Sequence, residues 1–185
     1  MERRSKSTGA TALASAVYLG RNKLETVKRL VAQGAKTSNL TYPGATLLML
    51  ACGNEDSDPK VLRYLLERGD INVNCQMASK TSKWKLLRAA ARVGVRTKRS
   101  RSKLMRRVAE SGGLTALHYA ARRGDVEIVE LLMEYGANPM VKNDLGRDVL
   151  SYCDAFPEIR GAIKRVQMEE RSIQGGGDTK STTTS

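Results

Sequence analysis

Residues 113–139 read Gly113-Leu-Thr-Ala-Leu-His-Tyr-Ala-Ala-Arg-Arg-Gly124-Asp-Val-Glu-Ile-Val-Glu-Leu-Leu-Met-Glu-Tyr-Gly136-Ala-Asn-Pro139. Apolar residues recur at helical spacing on both sides of Gly124. Thr115 is placed to cap the first helix, because its side chain can accept a backbone N–H that the helix leaves unpaired. Gly124 and Gly136 are placed to end the two helices, because glycine adopts the left-handed conformation at low cost. The stretch therefore predicts a hairpin of two short helices.

Similar helix starts recur along the chain, at Thr11, Thr46, Thr115 and Asp148, with spacings of 35, 69 and 33 residues. The middle spacing is close to two periods of about 33 residues. We therefore expect one more unit between the second and third starts. Residues 87–94 align with residues 117–124, and residues 102–112 fit the place of a second helix, although extra residues separate the two helices.

The unit at residues 113–143 resembles the ankyrin repeat, because a Thr-x-Leu-His-x-Ala-Ala stretch, a helix-ending Gly, a Val/Ile/Leu-rich helix and a closing Gly-Ala coincide. The units that begin at Gly9 and Gly44 match less closely. The resemblance implies an all-α solenoid of stacked helix-turn-helix hairpins with short β-hairpin fingers. We expect a flexible N-terminus at 1–8, units at about 9–41, 44–76, 82–112, 113–145 and 146–166, and a disordered tail at 167–185.

The amino-acid composition favours helices and bears on metal sites and on cellular location. Hydrophobic residues make up 41% of the chain but aromatic residues only 4%, which favours helix packing over a β-sandwich. Cys52, Cys75 and Cys153 are too far apart to form a short metal-ligand pair, and we expect them to be reduced. Neither a signal peptide nor an apolar run of about 18 residues is present. We therefore expect an intracellular protein, in the cytoplasm or the nucleus, without a cofactor.

His118 is the chain's only histidine. A catalytic role would need a nucleophile or a second titrating group placed beside it, and the sequence supplies no such motif and no phosphate-binding loop. The resemblance instead implies that His118 is the motif histidine, whose ring bonds the backbone near the turn. We therefore expect neither an enzyme nor a small-molecule substrate.

The resemblance also implies that a protein partner binds the concave face, which the fingers and the first helices form. The chain would then be a scaffold or adaptor. Tyr119 and Arg122 are the strongest candidates, because Tyr and Arg are frequent interface hot spots. The full set of predicted exposed positions is Ser15, Tyr18, Tyr42, Met49, Tyr119, Arg122, Arg123, Lys142, Asn143 and Asp144.

The positive charge is concentrated in one segment. The chain has a net charge of +13, yet residues 78–110 alone hold twelve Lys and Arg against one acid, Glu110. An acidic partner would therefore meet this segment first. The candidate basic patch consists of Lys83, Lys85, Arg88, Arg92, Arg96, Lys98, Arg99, Arg101, Lys103, Arg106 and Arg107.

Three interpretations of this segment remain open. In the first, a stripe of Trp84, Leu87, Ala91 and Val95 packs into the solenoid and the charges form a solvated face. In the second, the charges bind nucleic acid, an anionic membrane surface or an import receptor. In the third, an acidic groove such as that of calmodulin binds the helix by Trp84. The first is favoured, because the expected extra repeat fits there.

Overall fold

The computed structural model describes residues 11–19, 23–38, 41, 44–54, 56, 58–78, 82–96 and 102–175. These residues form nine α-helices and one 3₁₀ helix, and no strand is assigned among them. The helices are α1 Ala12–Leu19, α2 Lys23–Ala32, α3 Leu47–Gly53, α4 Pro59–Glu67, α5 Ser82–Arg96, α6 Lys103–Glu110, α7 Ala116–Arg123, α8 Val126–Glu134, the 3₁₀ helix Val149–Ala155 and α9 Pro157–Gly175.

Helical hairpins stack in four layers. The layers are α1–α2, α3–α4, α7–α8 and the 3₁₀ helix with α9. In the inner row, α1 packs on α3, α3 on α7, and α7 on the 3₁₀ helix, while α2, α4, α8 and α9 form an outer row in the same order. This is the all-α ankyrin solenoid, in which each unit is stabilised by its neighbours because a single hairpin cannot bury its apolar face.

The core is one apolar seam that runs through all four layers. Ala120 and Ala121 are fully buried, and their small side chains allow the inner helices to approach closely. Burying a large aliphatic side chain contributes about 1.5–3 kcal/mol. Side chains that fill the seam include Leu13, Leu47, Leu48, Leu62, Leu65, Leu117, Ile128, Leu132, Ile159 and Ile163.

The predicted caps are confirmed in the third and fourth layers. Thr115 Oγ1 accepts the backbone N–H of His118 at the start of α7. Asp148 Oδ1 accepts the N–H of Ser151 at 3.0 Å at the start of the 3₁₀ helix. Gly124 ends α7 with φ +79°, a conformation that favours glycine.

The turns between successive layers, here called fingers 1 to 3, share one backbone pattern. In finger 1, Thr41 N donates to Ala45 O at 3.1 Å, and Gly44 N donates to Thr41 O at 2.9 Å. Two residues, 42 and 43, separate Thr41 from Gly44. Finger 3 repeats both bonds, each at 2.9 Å, from Asn143 N to Arg147 O and from Gly146 N to Asn143 O.

Finger 2 has the same two bonds but a much longer tip. Met77 N donates to Leu114 O at 2.8 Å, and Gly113 N donates to Met77 O at 2.9 Å. Residues 78–112 stand between Met77 and Gly113, where the other fingers have two residues. Helices α5 and α6 are therefore an insertion in the tip of a finger, here called the inserted hairpin.

The inserted hairpin corrects the predicted arrangement of units. A helix pair does form within residues 82–112, but it is not a layer between the second and fourth predicted units, because α3 packs directly on α7. Within the described part of the chain, the stack therefore has four layers and not five. The insertion adds about one repeat period of 33 residues, which explains why the spacing alone suggested a further repeat.

The chain's C-terminal part also differs from the prediction. Residues 167–175 were expected to be disordered, but α9 continues to Gly175. The extension, Gln-Met-Glu-Glu-Arg-Ser-Ile-Gln-Gly, has no helix breaker before its final Gly and consists largely of good helix formers. The expected flexible N-terminus at 1–8 and the tail at 176–185 lie outside the described residues.

Candidate interaction surface

The C-terminal ends of the inner helices form a row across the first three layers. Tyr18 and Leu19 end α1 and are 44% and 77% exposed. Asn54 follows α3, and its side-chain amide donates a hydrogen bond to the Tyr18 carbonyl oxygen. Arg122 lies near the end of α7, with its guanidinium 5.7 Å from the centre of the Tyr119 ring. We call Tyr18, Leu19, Asn54 and Arg122 the helix-end row.

Arg123, predicted to contact a partner, is engaged within the stack. Its Nη1 donates to the Cys52 carbonyl oxygen at 3.2 Å and so joins the third layer to the second. Its Nη2 also lies 3.8 Å from an Asp125 carboxylate oxygen. The Arg123 side chain therefore joins the third layer to the second, and part of it is exposed.

Tyr119 is packed into the stack and is not an exposed anchor. Its hydroxyl donates to Met77 Sδ at 3.6 Å, and a Cβ added at Gly53 would lie 3.4 Å from its ring. Burial raises the pKa of Tyr119, while Arg122 and Arg88 oppose that rise. Finger 2 and α3 contact the Tyr119 ring and leave it partly buried, so it is less exposed than predicted, and its contact with a partner stays a prediction.

Met49 and Asn143 are also structural, contrary to the prediction that they are exposed. Met49 is 2% exposed and fills in α3 the position that His118 fills in α7. Asn143 is buried, and its Oδ1 accepts the backbone N–H groups of Leu145 and Arg147 at 2.9 and 3.0 Å. Among the other predicted positions, Ser15 and Lys142 are exposed, and Tyr42 lies outside the described residues.

The inserted hairpin is anchored to finger 3. Arg92 Nη2 lies 2.8 Å from Asp144 Oδ2, and Arg92 Nε donates to Ala109 O in α6 at 3.2 Å. A second ion pair joins Glu110 to Arg147 at 3.8 Å. Asp144 was predicted to meet a partner, but here it binds the chain's own hairpin.

Arg88 lies inside this contact and not on a solvated face as predicted. It is 7% exposed, and burial lowers the pKa of its guanidinium. The Asp144 carboxylate opposes that lowering most strongly, followed by Tyr119. The side of α5 that faces inward is therefore formed by Trp84, Arg88 and Ala91.

The remaining predicted basic residues divide into two groups. Lys83 and Lys85 are exposed on α5, as are Leu86 and Leu87. Leu87 was predicted to share the buried stripe with Trp84 and is instead exposed. The side chains of Val95, Arg96, Lys98, Arg99, Arg101, Lys103, Arg106 and Arg107 lie outside the described residues.

His118 has the structural role that the resemblance implied. Its Nδ1 accepts the Thr115 backbone N–H at 3.2 Å, so Nε2 carries the ring proton and donates to Arg147 O at 3.3 Å. Burial lowers the pKa of this ring. Burial also raises the pKa of the Cys52 and Cys153 thiols, which leaves both in the unreactive protonated form.

Two further classes of site are absent from the described residues. No group of three or more His, Cys, Asp or Glu side chains there could hold a metal ion. None of the described helices combines the length and apolar character that a membrane span requires.

Two family models match the chain. The model described as "Ankyrin repeats (3 copies)" matches residues 2–77, and the one described as "Ankyrin repeat" matches residues 112–144. The first match ends at Met77 and the second begins at Gly112, so the two matches lie on either side of the inserted hairpin. The position of the insertion is thus the same in the sequence matches and in the backbone pairing of finger 2.

Curated relatives share the repeat region with this chain. The chain is 33% identical over 134 residues to "Mitochondrial disaggregase" of Bos taurus, a match that covers 71% of this chain and 19% of the relative. It is 36% identical over 123 residues to "Putative E3 ubiquitin-protein ligase XBAT34" of Arabidopsis thaliana, covering 66% and 24%. The matches thus span about a fifth to a quarter of these relatives. The chain belongs to the ankyrin-repeat family, whose repeats are generally protein–protein interaction modules and typically lack enzymatic activity.

Proposed function

We propose that this chain is a scaffold or adaptor that binds a partner protein through the concave inner face of the stack and catalyses no reaction itself. The observation that carries the proposal is the exposure of Tyr18 and Leu19 side by side at the end of α1. An aromatic and a large aliphatic side chain exposed together on an inner helix are typical of an interface anchor.

The rest of the helix-end row supports the same surface. Arg122 is held over the Tyr119 ring, which limits the freedom of its guanidinium before a partner arrives. A preorganised Arg loses less conformational entropy on binding than a free one. At finger 3, Lys142 and Leu145 are exposed and extend the surface toward the finger tips.

The relatives support a recruiting role. One is named a disaggregase and the other an E3 ubiquitin-protein ligase, and each shares only its repeat region with this chain. A repeat region that recurs beside different activities is suited to selecting partners. The three free cysteines favour a reducing compartment. We therefore propose an intracellular location, in the cytoplasm or the nucleus.

Affinity capture from a cell extract tests the proposal when wild type is compared with the Tyr18→Ala/Leu19→Ser variant. We expect the proteins retained by wild type to fall at least about tenfold, the loss expected for removing a hot spot. Met168→Ser, an exposed apolar position on α9 in the outer row, is the matched control and should capture the same proteins as wild type. Equal capture by all three chains would exclude the helix-end row as the binding surface.

A further inference from the structure

Helix α5 exposes an apolar stripe on its outer face. Leu86 is 72% exposed and Val93 is 63% exposed, and Ala90 between them is also exposed. Residues spaced i, i+4 and i+7 lie on one side of a helix. The stripe therefore faces away from Trp84, Arg88 and Ala91, which form the inward side.

Among the described side chains of α5, those that carry charge beside the stripe are lysines. Lys83 and Lys85 are exposed beside Leu86, and residues 78–109 contain no Asp or Glu. Arg88 and Arg92 are turned toward Asp144 and Ala109, so the two lysines are the described cations on the outer side. Such a surface complements a partner that is apolar at its centre and acidic at its edges.

We propose that the outer face of α5 binds an acidic amphipathic helix of a partner protein. Leu86 and Val93 are the apolar anchors, and Lys83 and Lys85 pair with carboxylates at the edge of the partner helix. Ala89 and Ala90 are exposed between the anchors and allow the two helix axes to approach to about 8–10 Å. This surface is separate from the helix-end row and goes beyond the function proposed for that row.

The position of the aromatic residue favours a protein partner over a membrane. Helices that lie on a membrane surface place Trp, Phe or Leu on the apolar face. Trp84 is the chain's only Trp, and it belongs to the inward side of α5. The small residues Ala89 and Ala90 suit close helix packing, whereas a bilayer gains little from them.

The same face is poorly suited to nucleic acid. Single strands bind by stacking their bases on aromatic side chains, and the described outer positions of α5 offer Leu, Ala, Val and Lys. Binding a phosphate backbone at Lys83 and Lys85 would leave Leu86 and Val93 in water. The apolar side chains and the lysines beside them therefore favour a partner helix that carries both apolar and acidic side chains.

Contacts within the molecule hold α5 in place. The ion pairs Arg92–Asp144 and Glu110–Arg147 join both helices of the inserted hairpin to finger 3. Ala91 and Ala109 are buried at the same contact. These contacts turn the inward side of α5 toward finger 3 and leave the outer face directed away from it.

Selection from a displayed library of 20-residue helical peptides with no charge bias tests the proposal on the full chain. We expect enrichment of peptides with one apolar stripe edged by Glu or Asp. Their binding should fall at least tenfold in Leu86→Asp/Val93→Asp and, separately, in Lys83→Glu/Lys85→Glu. The controls Met168→Asp and Lys28→Glu/Lys164→Glu alter exposed positions elsewhere and should bind within about twofold of wild type, with circular dichroism confirming the fold of each variant.

Three outcomes would overturn the proposal. One is that no acidic amphipathic helices are enriched, and another is that the enriched peptides bind the α5 variants as well as wild type. The third is that phosphatidylserine vesicles or single-stranded DNA, tested in parallel, bind in a manner lost with Lys83→Glu/Lys85→Glu while the peptides do not. Peptide binding should persist in Tyr18→Ala/Leu19→Ser, so failure here is distinguishable from failure of the inner-face function.

Discussion

His118 joins the third layer to finger 3 through both of its ring nitrogens. Nδ1 accepts the Thr115 N–H, and Nε2 donates to Arg147 O. A protonated ring could no longer accept the Thr115 N–H, and burial already disfavours the charged form and lowers the pKa below the usual 6.5. The folded protein therefore requires a neutral His118.

Lowering the pH should reduce the free energy of unfolding, because His118 takes up a proton more readily in the unfolded chain than in the folded one. Because the pKa of His118 is lower in the folded chain than in the unfolded chain, its contribution is complete above about pH 6.5 and is lost as the pH falls toward the folded pKa. His118→Gln removes the titration and keeps a side-chain acceptor suited to a capping box. The free energy of unfolding in urea, measured for both chains from pH 7.5 to 5, should diverge below about 6.5. Parallel curves would contradict this.

Tyr119 should affect stability, in contrast to Tyr18. We expect Tyr119→Ala to lower the free energy of unfolding by about 2 kcal/mol, because a partly buried ring leaves a cavity. Tyr119→Phe should cost less than about 1 kcal/mol, because it removes only the bond to Met77. Tyr18→Ala is the exposed control and should change stability by less than about 0.5 kcal/mol. Equal effects of Tyr18→Ala and Tyr119→Ala in urea unfolding would show that Tyr119 is not packed in the stack.

At the scale of elements, finger 2 depends on a glycine at its closing position. Gly113 has φ +72°, and an added Cβ would lie 2.6 Å from Asp144 N and 3.0 Å from Asn143 C. Both of these are backbone atoms of finger 3, so they cannot move aside cheaply. The close approach of the two fingers therefore requires a residue without a Cβ.

Comparing Gly113→Ala with Gly136→Ala separates the effect of the close contact between fingers 2 and 3 from the strain of a left-handed backbone conformation. Gly136 has φ +79° with nothing within 4 Å of the added Cβ, so its substitution should cost about 1–2 kcal/mol for the left-handed conformation alone. Gly113→Ala should cost at least about 1 kcal/mol more, because fingers 2 and 3 must also separate. Urea unfolding measures both. Equal costs would mean that the contact between the fingers contributes little.

At the scale of the whole molecule, the stack should not require the inserted hairpin. Backbone hydrogen bonds already join Met77 to Gly113 and to Leu114, so residues 78–112 can be replaced by Asp-Leu, the two-residue tip of finger 3. We expect a folded four-layer protein with a free energy of unfolding within about 2 kcal/mol of wild type, because the lost surface ion pairs are weak and the loop is shorter.

Circular dichroism and urea unfolding of this shortened chain check the expectation. The circular dichroism signal per residue should remain that of a helical protein. The urea unfolding transition should remain cooperative. A chain that loses its cooperative transition would show that α5 and α6 stabilise the stack as a layer would. Binding of acidic helical peptides should disappear in the shortened chain, while capture of proteins through Tyr18 and Leu19 should persist.

Local patterns predicted much of the fold. The helix starts at Thr115 and Asp148, the helix end at Gly124 and the role of His118 were all confirmed, because each depends on residues within a few positions of one another or on a close family motif. The predicted exposure of Met49, Asn143 and Arg88 was wrong. Their burial depends on residues brought close by folding, such as Tyr152 beside Asn143 and Asp144 beside Arg88.

The amino-acid sequence by itself determined the repeating helical hairpin, the caps and the apolar seam, because helix formation and capping depend on short-range spacing. Only the tertiary structure decided that residues 78–112 leave the stack at the tip of a finger. An insertion of about one repeat length has the same spacing as a repeat. The pairing of Met77 with Gly113 and Leu114 and the packing of α3 directly on α7 distinguish the two. Contacts with finger 3 and with α6 decide which side of α5 faces inward, because Arg92 binds Asp144 and Ala109 and because Arg88 and Ala91 are buried.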